Sequence, residues 1–250
     1  MSFTRSSAAA AIISMAILSA CATTATTTAS TEPASSIQIA QADERVLGYF
    51  SADGEFGSEK QSNGYMRKYL GKTADGKSVL QDFYAINGKP QTSPFVLFDD
   101  AGLEDWNSLQ YTDGEVVFYN ADGRVSARTS LQDGQYVGKH IQYHSNGKVF
   151  VEELYNPDSE ITATRYFDEA GKPLFAFHID NSNDDYKVTV QVYDAAGTAY
   201  PATTANEDKI EAATAAIVAL MNKRAALEAT LAGQEVPEAQ ELILPRQPEE

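Results

Sequence analysis

A seven-residue phrase returns along this chain at a fixed step. Tyr119-Asn120-Ala121-Asp122-Gly123-Arg124-Val125 comes back as Tyr143-His144-Ser145-Asn146-Gly147-Lys148-Val149 and again as Phe167-Asp168-Glu169-Ala170-Gly171-Lys172-Pro173, with 147 − 123 = 24 and 171 − 147 = 24. An aromatic, three mostly polar residues, a glycine, a base and an apolar residue describe a strand end, a tight turn and the start of the return strand. One set of such glycines lies at Gly54, Gly76, Gly102, Gly123, Gly147, Gly171 and Gly197. Between them falls a second set of turn signals: Asn63-Gly64, Asn87-Gly88, Asp113-Gly114, Asp133-Gly134, Asn156-Pro157-Asp158 and Asn183-Asp184. Asn-Gly and Asp-Gly favour the positive φ of two-residue hairpins. Two turns per repeat mean two strands per repeat. The runs between turns are short and rich in Val, Tyr, Phe and Thr, and Val188-Thr189-Val190-Gln191-Val192 alternates cleanly. The pattern predicts a mainly β fold, a repetitive antiparallel meander of about a dozen strands or slightly more over residues 46–200.

The stretch from Asp133 to Val149 resembles a MORN-variant repeat, a hairpin unit common in bacterial secreted proteins. The Gly134 and Gly138 spacing, the following Tyr143 and the Asn146-Gly147 turn carry the resemblance, and His140 stands where that repeat usually has tryptophan. The likeness covers 113–175 and fades on either side. It implies hairpin architecture. Some bacterial members are called antitoxin components, a cytoplasmic role at odds with the export signal described next.

Ahead of the repeats lies an address. Arg5 precedes the apolar run Ala8 to Leu18, too short to span a bilayer comfortably as a helix. Leu18-Ser19-Ala20-Cys21 then resembles a bacterial lipobox, with the chain's one cysteine at the required place. The resemblance implies cleavage of residues 1–20 and acylation at Cys21, and several acyl chains on one residue give stable anchoring. Ala22, rather than aspartate, implies sorting to the outer membrane of a Gram-negative bacterium. Residues 21–45, rich in Thr, Ser and Ala, read as a lipidated flexible tether.

After the repeats, Thr204-Ala205-Asn206-Glu207 fits a capping box. Ile210, Ala213, Ile217, Leu220, Leu227 and Leu231 recur at helical spacing, interrupted by Arg224, and Gly233 and Pro237 stop the pattern. The spacing predicts one C-terminal amphipathic helix over 204–233, packed on the sheet or pairing with another copy. Residues 234–250, with Pro237, Pro245, Pro248 and five glutamates, predict a disordered acidic tail.

Chemistry is sparse. Against 19 Lys and Arg stand 35 Asp and Glu, a net charge of −16, which disfavours nucleic acid as a partner. One cysteine excludes an internal disulfide. His140 and His144, four apart on one strand, stand about 13 Å apart, too far to share a metal directly. They and His178 read as residues of a polar face. Turn carboxylates such as Asp53, Asp75, Asp122 and Asp133 read as turn caps. No nucleotide, zinc-protease or hydrolase motif is present, so no catalytic residue, metal ligand or cofactor is predicted. Tyr119, Tyr143, Phe167 and Tyr193 occupy one register position. They predict an aromatic ladder, either the sheet's core or an exposed strip for a protein or glycan partner. The sequence thus reads as an envelope-anchored, non-enzymatic binding or scaffold protein, held to the membrane by its lipid and favoured as a monomer. The alternative is a glycan- or peptidoglycan-acting enzyme using turn carboxylates.

Overall fold

The computed structural model describes residues 37–158, 160–180 and 187–248. Cys21, the signal segment, most of the tether and the Asn183-Asp184 turn lie outside the described residues. The strands are β1 (Gln41–Phe50), β2 (Phe56–Gly57), β3 (Tyr65–Lys72), β4 (Ser78–Tyr84), β5 (Phe95–Leu97), β6 (Thr112–Tyr119) and β7 (Val125–Gln132). They continue with β8 (Gln135–Tyr136), β9 (Gly138–Tyr143), β10 (Val149–Tyr155), β11 (Ile161–Phe167), β12 (Pro173–Asp180), β13 (Lys187–Tyr193) and β14 (Ala199–Pro201), and the helix α1 (Glu207–Ala232) follows. All fourteen strands form one antiparallel sheet whose spatial order is nearly the chain order. Only β2, folded back on β1, and β8, folded back on β7, leave the meander. The chain is therefore mainly β, with one C-terminal helix. Residues 41–45, read from sequence as tether, belong to β1, because Gln41 and Ala42 pair with Lys72 and Gly71.

The repeat glycines do not close two-residue turns. In each case the residue three before the glycine accepts from the glycine N–H and donates its own N–H to the carbonyl just beyond the glycine. Asn120, His144, Asp168 and Asp194 do this around Gly123, Gly147, Gly171 and Gly197, and Ser51 and Thr73 around Gly54 and Gly76. The glycine sits in the left-handed region, φ 81° at Gly147, where an L side chain is strained. Where the opening residue is Asp, its carboxylate seals the turn: Asp168 Oδ1 accepts from the Ala170 and Lys172 amides at 2.9 and 2.8 Å. The two-residue form occurs at Asp133-Gly134, with φ 51° and 74°, between the paired residues Gln132 and Gln135. Two expected turns are absent. Asp113-Gly114 lies inside β6, paired on both sides with β5 and β7. Gly102 lies in a 3₁₀ turn, Asp100–Leu103.

The base after Gly123, Gly147 and Gly171 stitches one repeat to the next. Lys148 Nζ donates to the Ala170 carbonyl at 2.9 Å, Lys172 Nζ to Ala195 at 3.3 Å, and Arg124 to the Ser145 carbonyl at 2.5 Å. A β-bulge follows each of these three turns: the partner positions skip Ser126, Phe150 and Leu174, which are again 24 apart. A bulge turns an extra side chain toward one face and increases local twist. That is how Phe150 and Val151, adjacent in sequence, both enter the core under α1.

One face of the sheet is covered in two places. Ile210, Ala213 and Ile217 of α1 pack on Phe150, Val151, Phe175, Val190 and Val192. Over β3–β7, the segment 99–111 covers Tyr69, Leu80, Phe95, Leu97 and Val116. That segment is held by Arg67, which is wholly buried. Its guanidinium takes Asp82 in a two-pronged pair at 2.8 and 2.7 Å and donates further to the carbonyls of Gly102, Leu103 and Asp105 and to the Ser108 hydroxyl.

The capping box is not formed. Thr204–Asn206 is a 3₁₀ turn without a side-chain cap bond, and Asn206 instead donates to the Pro201 carbonyl at 3.0 Å. Gly233, at φ 69°, ends α1 as expected, with Gln234 N–H bonded back to Ala229. The tail does not hang free over its described length. Leu244 is buried in the same core cluster as Ile210, Ala213 and Ile217 of α1. The Gln247 side-chain amide pairs with the edge of β13 as a peptide unit would, accepting from Val190 N–H and donating to the Val188 carbonyl, both at 2.8 Å. It thereby satisfies a strand edge that the short β14 leaves bare.

Candidate binding surfaces

Strand register sorts the side chains into two faces. Val117, Arg128, Ile141, Glu152, Arg165, Ala176 and Gln191 stand directly opposite one another across β6, β7 and β9–β13. Alternation puts this row on the face away from α1. Tyr119, Tyr143, Phe167 and Tyr193, one position beyond residues of the covered face, lie on the same open side. Tyr143 is buried to 8% exposure and the other three are half-buried. None of the four rings stacks on another. The ring contacts run instead along the covered face, from Phe150 to Tyr166 to Phe175, at centroid distances of 5.6 and 6.2 Å. What Tyr143 and Tyr193 have for neighbours is charge. Burial pushes the Tyr143 hydroxyl up in pKa, while Arg128 beside it pulls down. Arg128 pairs with Glu115 at 2.9 Å and Lys139 with Glu152 at 2.6 Å. Leu154, 39% exposed, sits on this face as well. The open side is thus a mixed strip of half-covered rings and alternating charge over about seven strands.

The second surface lies between α1 and the sheet, beyond the tight contact at Ile217. The helix residue that interrupts the apolar stripe, Arg224, reaches down to the sheet here. It donates to Gln142 Oε1 at 2.6 Å and to Glu228 at 3.0 Å, and its guanidinium carbon lies 5.1 Å from the Phe150 ring centre. Arg224 is therefore a bridge rather than a break. Together with Gln142, Ala225 and Glu228 it divides the space into two chambers of about 280 and 540 Å³. The smaller also has Glu153, Tyr166 and Met221 in its wall. The larger is lined by Tyr65, Tyr84, Phe118, Tyr136, His140 and Gln234, among others, and Tyr119 borders it through a carbonyl that accepts from Tyr84 Oη at 2.8 Å.

His140 and His144 are not residues of an exposed polar face. His144 is buried, with Nε2 3.0 Å from the Phe167 carbonyl. His140 is half-buried in the larger chamber, its ring 5.6 Å from Tyr136. Burial first, and the Arg224 charge after it, hold both imidazoles below the ordinary histidine range. His178, on the open face, is exposed. Glu153, paired in register with His140, has its carboxyl pushed up by burial, and Tyr155 donates to it at 3.2 Å. Nothing in the local sequence marks Arg67, Gln142, Glu153 or Glu228. The one local signal was a charge in an apolar helical stripe at Arg224. Among the described residues no group of three or more His, Cys, Asp or Glu gathers as metal ligands would, and no helix is long and apolar enough to cross a membrane.

No family model and no curated protein matches the chain. Solved structures with some likeness include a S. aureus TarM mutant in complex with Fondaparinux, alpha-GlcNAc-glycerol and UDP, 13% identical with a TM-score of 0.21, the match covering 49% of this chain and 19% of that one. A second TarM crystal structure is 14% identical at a TM-score of 0.21, covering 53% and 20%. The matched region spans about a fifth of the length of those proteins, and a score this low carries no statement about fold or function.

Proposed function

We propose that this chain is an envelope-anchored, non-enzymatic binding or scaffold lipoprotein that presents the open face of its repeat sheet to a protein or glycan partner. The observation that carries the reading is that open face, where half-buried aromatics at a fixed register are interleaved with charged residues across β6–β13. Amphipathic rings and adaptable charges on a rigid backbone suit recognition. The lipobox-like Leu18-Ser19-Ala20-Cys21 supports the anchor and an outer-membrane address, and the MORN-like repeats fit an exported hairpin scaffold. Cys21→Ser tests the anchor: fatty-acid labelling and membrane fractionation should both be lost, and retained labelling refutes it. Cross-linking in the native cell tests the surface. A partner captured by the wild type should be lost when Arg165 and Tyr193 are changed to alanine, and capture that ignores both changes refutes it.

The alternative, a glycan- or peptidoglycan-acting enzyme, has one observation in its favour. Glu153 and Glu228 line one chamber, and burial favours the protonated form of Glu153, the asymmetry that an acid–base pair needs. Release of soluble fragments from peptidoglycan, abolished by Glu153→Gln, would establish it.

A further inference from the structure

The hydrogen bonds around Arg224 fix more than the helix position. Gln142 Oε1 accepts from Arg224 at 2.6 Å, so the Gln142 amide nitrogen faces the other way, and it lies 3.3 Å from His140 Nε2. An amide NH₂ can only donate. His140 Nε2 must therefore be the acceptor of that bond, and the proton of the neutral ring sits on Nδ1. His140 Nδ1 is buried without a partner, and so is Arg224 Nε. Both are N–H donors. A buried donor left unsatisfied is costly and rare, and the two side chains that carry these covered donors both line one chamber of about 540 Å³, within the size range of small-molecule sites.

The missing partner is therefore an oxygen acceptor, and the surroundings narrow its class. The charge of Arg224 is already matched by Glu228, and Glu235 also lines the chamber. In a chain of net charge −16 an anionic ligand is opposed. Four rings, Tyr65, Tyr84, Phe118 and Tyr136, line the same space, offering apolar faces to a ring that carries C–H on its flat sides. Gln91 and Gln234 add neutral amides at the rim. We propose that the chamber between α1 and the sheet binds an uncharged, hydroxyl-rich ring ligand of the saccharide class, whose oxygens accept from His140 Nδ1–H and Arg224 Nε–H after small movements of both side chains uncover these groups. This site is separate from the open face and does not depend on it.

The test is calorimetric titration of the full chain with glucose, N-acetylglucosamine, maltose and chitobiose, beside glucuronate and inorganic phosphate as charged controls. Trp106 fluorescence provides a second readout, since the indole lies 4.5 Å from the Tyr65 ring at the chamber wall. At least one neutral sugar should bind saturably. His140→Phe, which keeps an aromatic ring and removes the donor, should weaken it about tenfold or more at unchanged melting temperature. Tyr136→Leu provides a second variant should the first not fold, with the same loss expected. No saturable binding by any neutral sugar, tighter binding of the charged controls, or binding unaffected by either variant would overturn the proposal. Partner capture by the open face is read separately, so either idea fails alone.

Discussion

Replacing Arg67 by methionine should unfold more than one contact. The Arg67–Asp82 pair is bidentate, with the arginine side chain at 0% and the aspartate at 5% exposure. Removing one member of a buried pair strands the other charge and costs about 3–5 kcal/mol. In an ordinary buried pair, replacing both members with apolar residues of similar volume recovers that loss. Here it should not. The same guanidinium satisfies the carbonyls of Gly102, Leu103 and Asp105 and the Ser108 hydroxyl. Each acceptor left buried and unpaired costs ~1–3 kcal/mol, and the segment can escape part of this only by lifting off the sheet. Arg67→Met/Asp82→Leu should therefore stay at least ~2 kcal/mol below wild type. Against a typical total of about 5–15 kcal/mol, either loss is large. Urea unfolding followed by far-ultraviolet circular dichroism gives the global value. The single tryptophan, Trp106, stacked near Phe50 and Tyr65 at 5.1 and 4.5 Å, reports the segment itself. In both variants its fluorescence transition should precede the loss of sheet signal. A double variant within ~0.5 kcal/mol of wild type, the spread of an ordinary surface change, with coincident transitions, would refute the view that Arg67 is the anchor of the segment.

Three further outcomes are expected. Ile217→Ala, at a wholly buried position of α1, should cost about 2–5 kcal/mol, and truncation after Tyr200 should expose the apolar strip and bring dye binding or aggregation; a stable, soluble truncated sheet would show that the helix does not cover it. Gly123→Ala meets no atom and suffers only its φ of 95°, costing about 1–2 kcal/mol. Gly134→Ala drives a methyl group into the Gln110 carbonyl and should cost clearly more in a thermal melt. Because His140 and His144 are held below the ordinary value of 6.5, the unfolded chain binds more protons than the folded one just below that pH. Stability from these residues is full above about 6.5 and falls as the pH drops toward their folded values. Melting temperatures at pH 7 and 5 should show this fall, and His140→Gln/His144→Gln should flatten it.

What the sequence by itself determined is what short-range chemistry decides. A glycine needing positive φ, an Asp or Asn that caps its own turn and a strand too short to do anything but pair are properties of five to ten neighbouring residues, and they recur every 24. From them came the fold class, the meander and the glycine stop of α1 at Gly233. The lipobox-like motif at Cys21, on which the proposed anchor rests, is likewise local. The partners of Arg224 were beyond reach, because Gln142 lies 82 positions away and becomes its neighbour only after register and a bulge at Phe150 set which face each residue takes. Gln247 looked like part of a loose acidic tail, since nothing nearby in sequence reveals an open strand edge 57 positions earlier. Arg67 read as one more base on a strand until the sheet brought Asp82 beside it and laid the 99–111 segment across both. Even the repeat aromatics owe their surroundings to the tertiary structure: the helix covers the opposite face, and strand alternation leaves the rings of Tyr143 and Tyr193 beside charges on the open one.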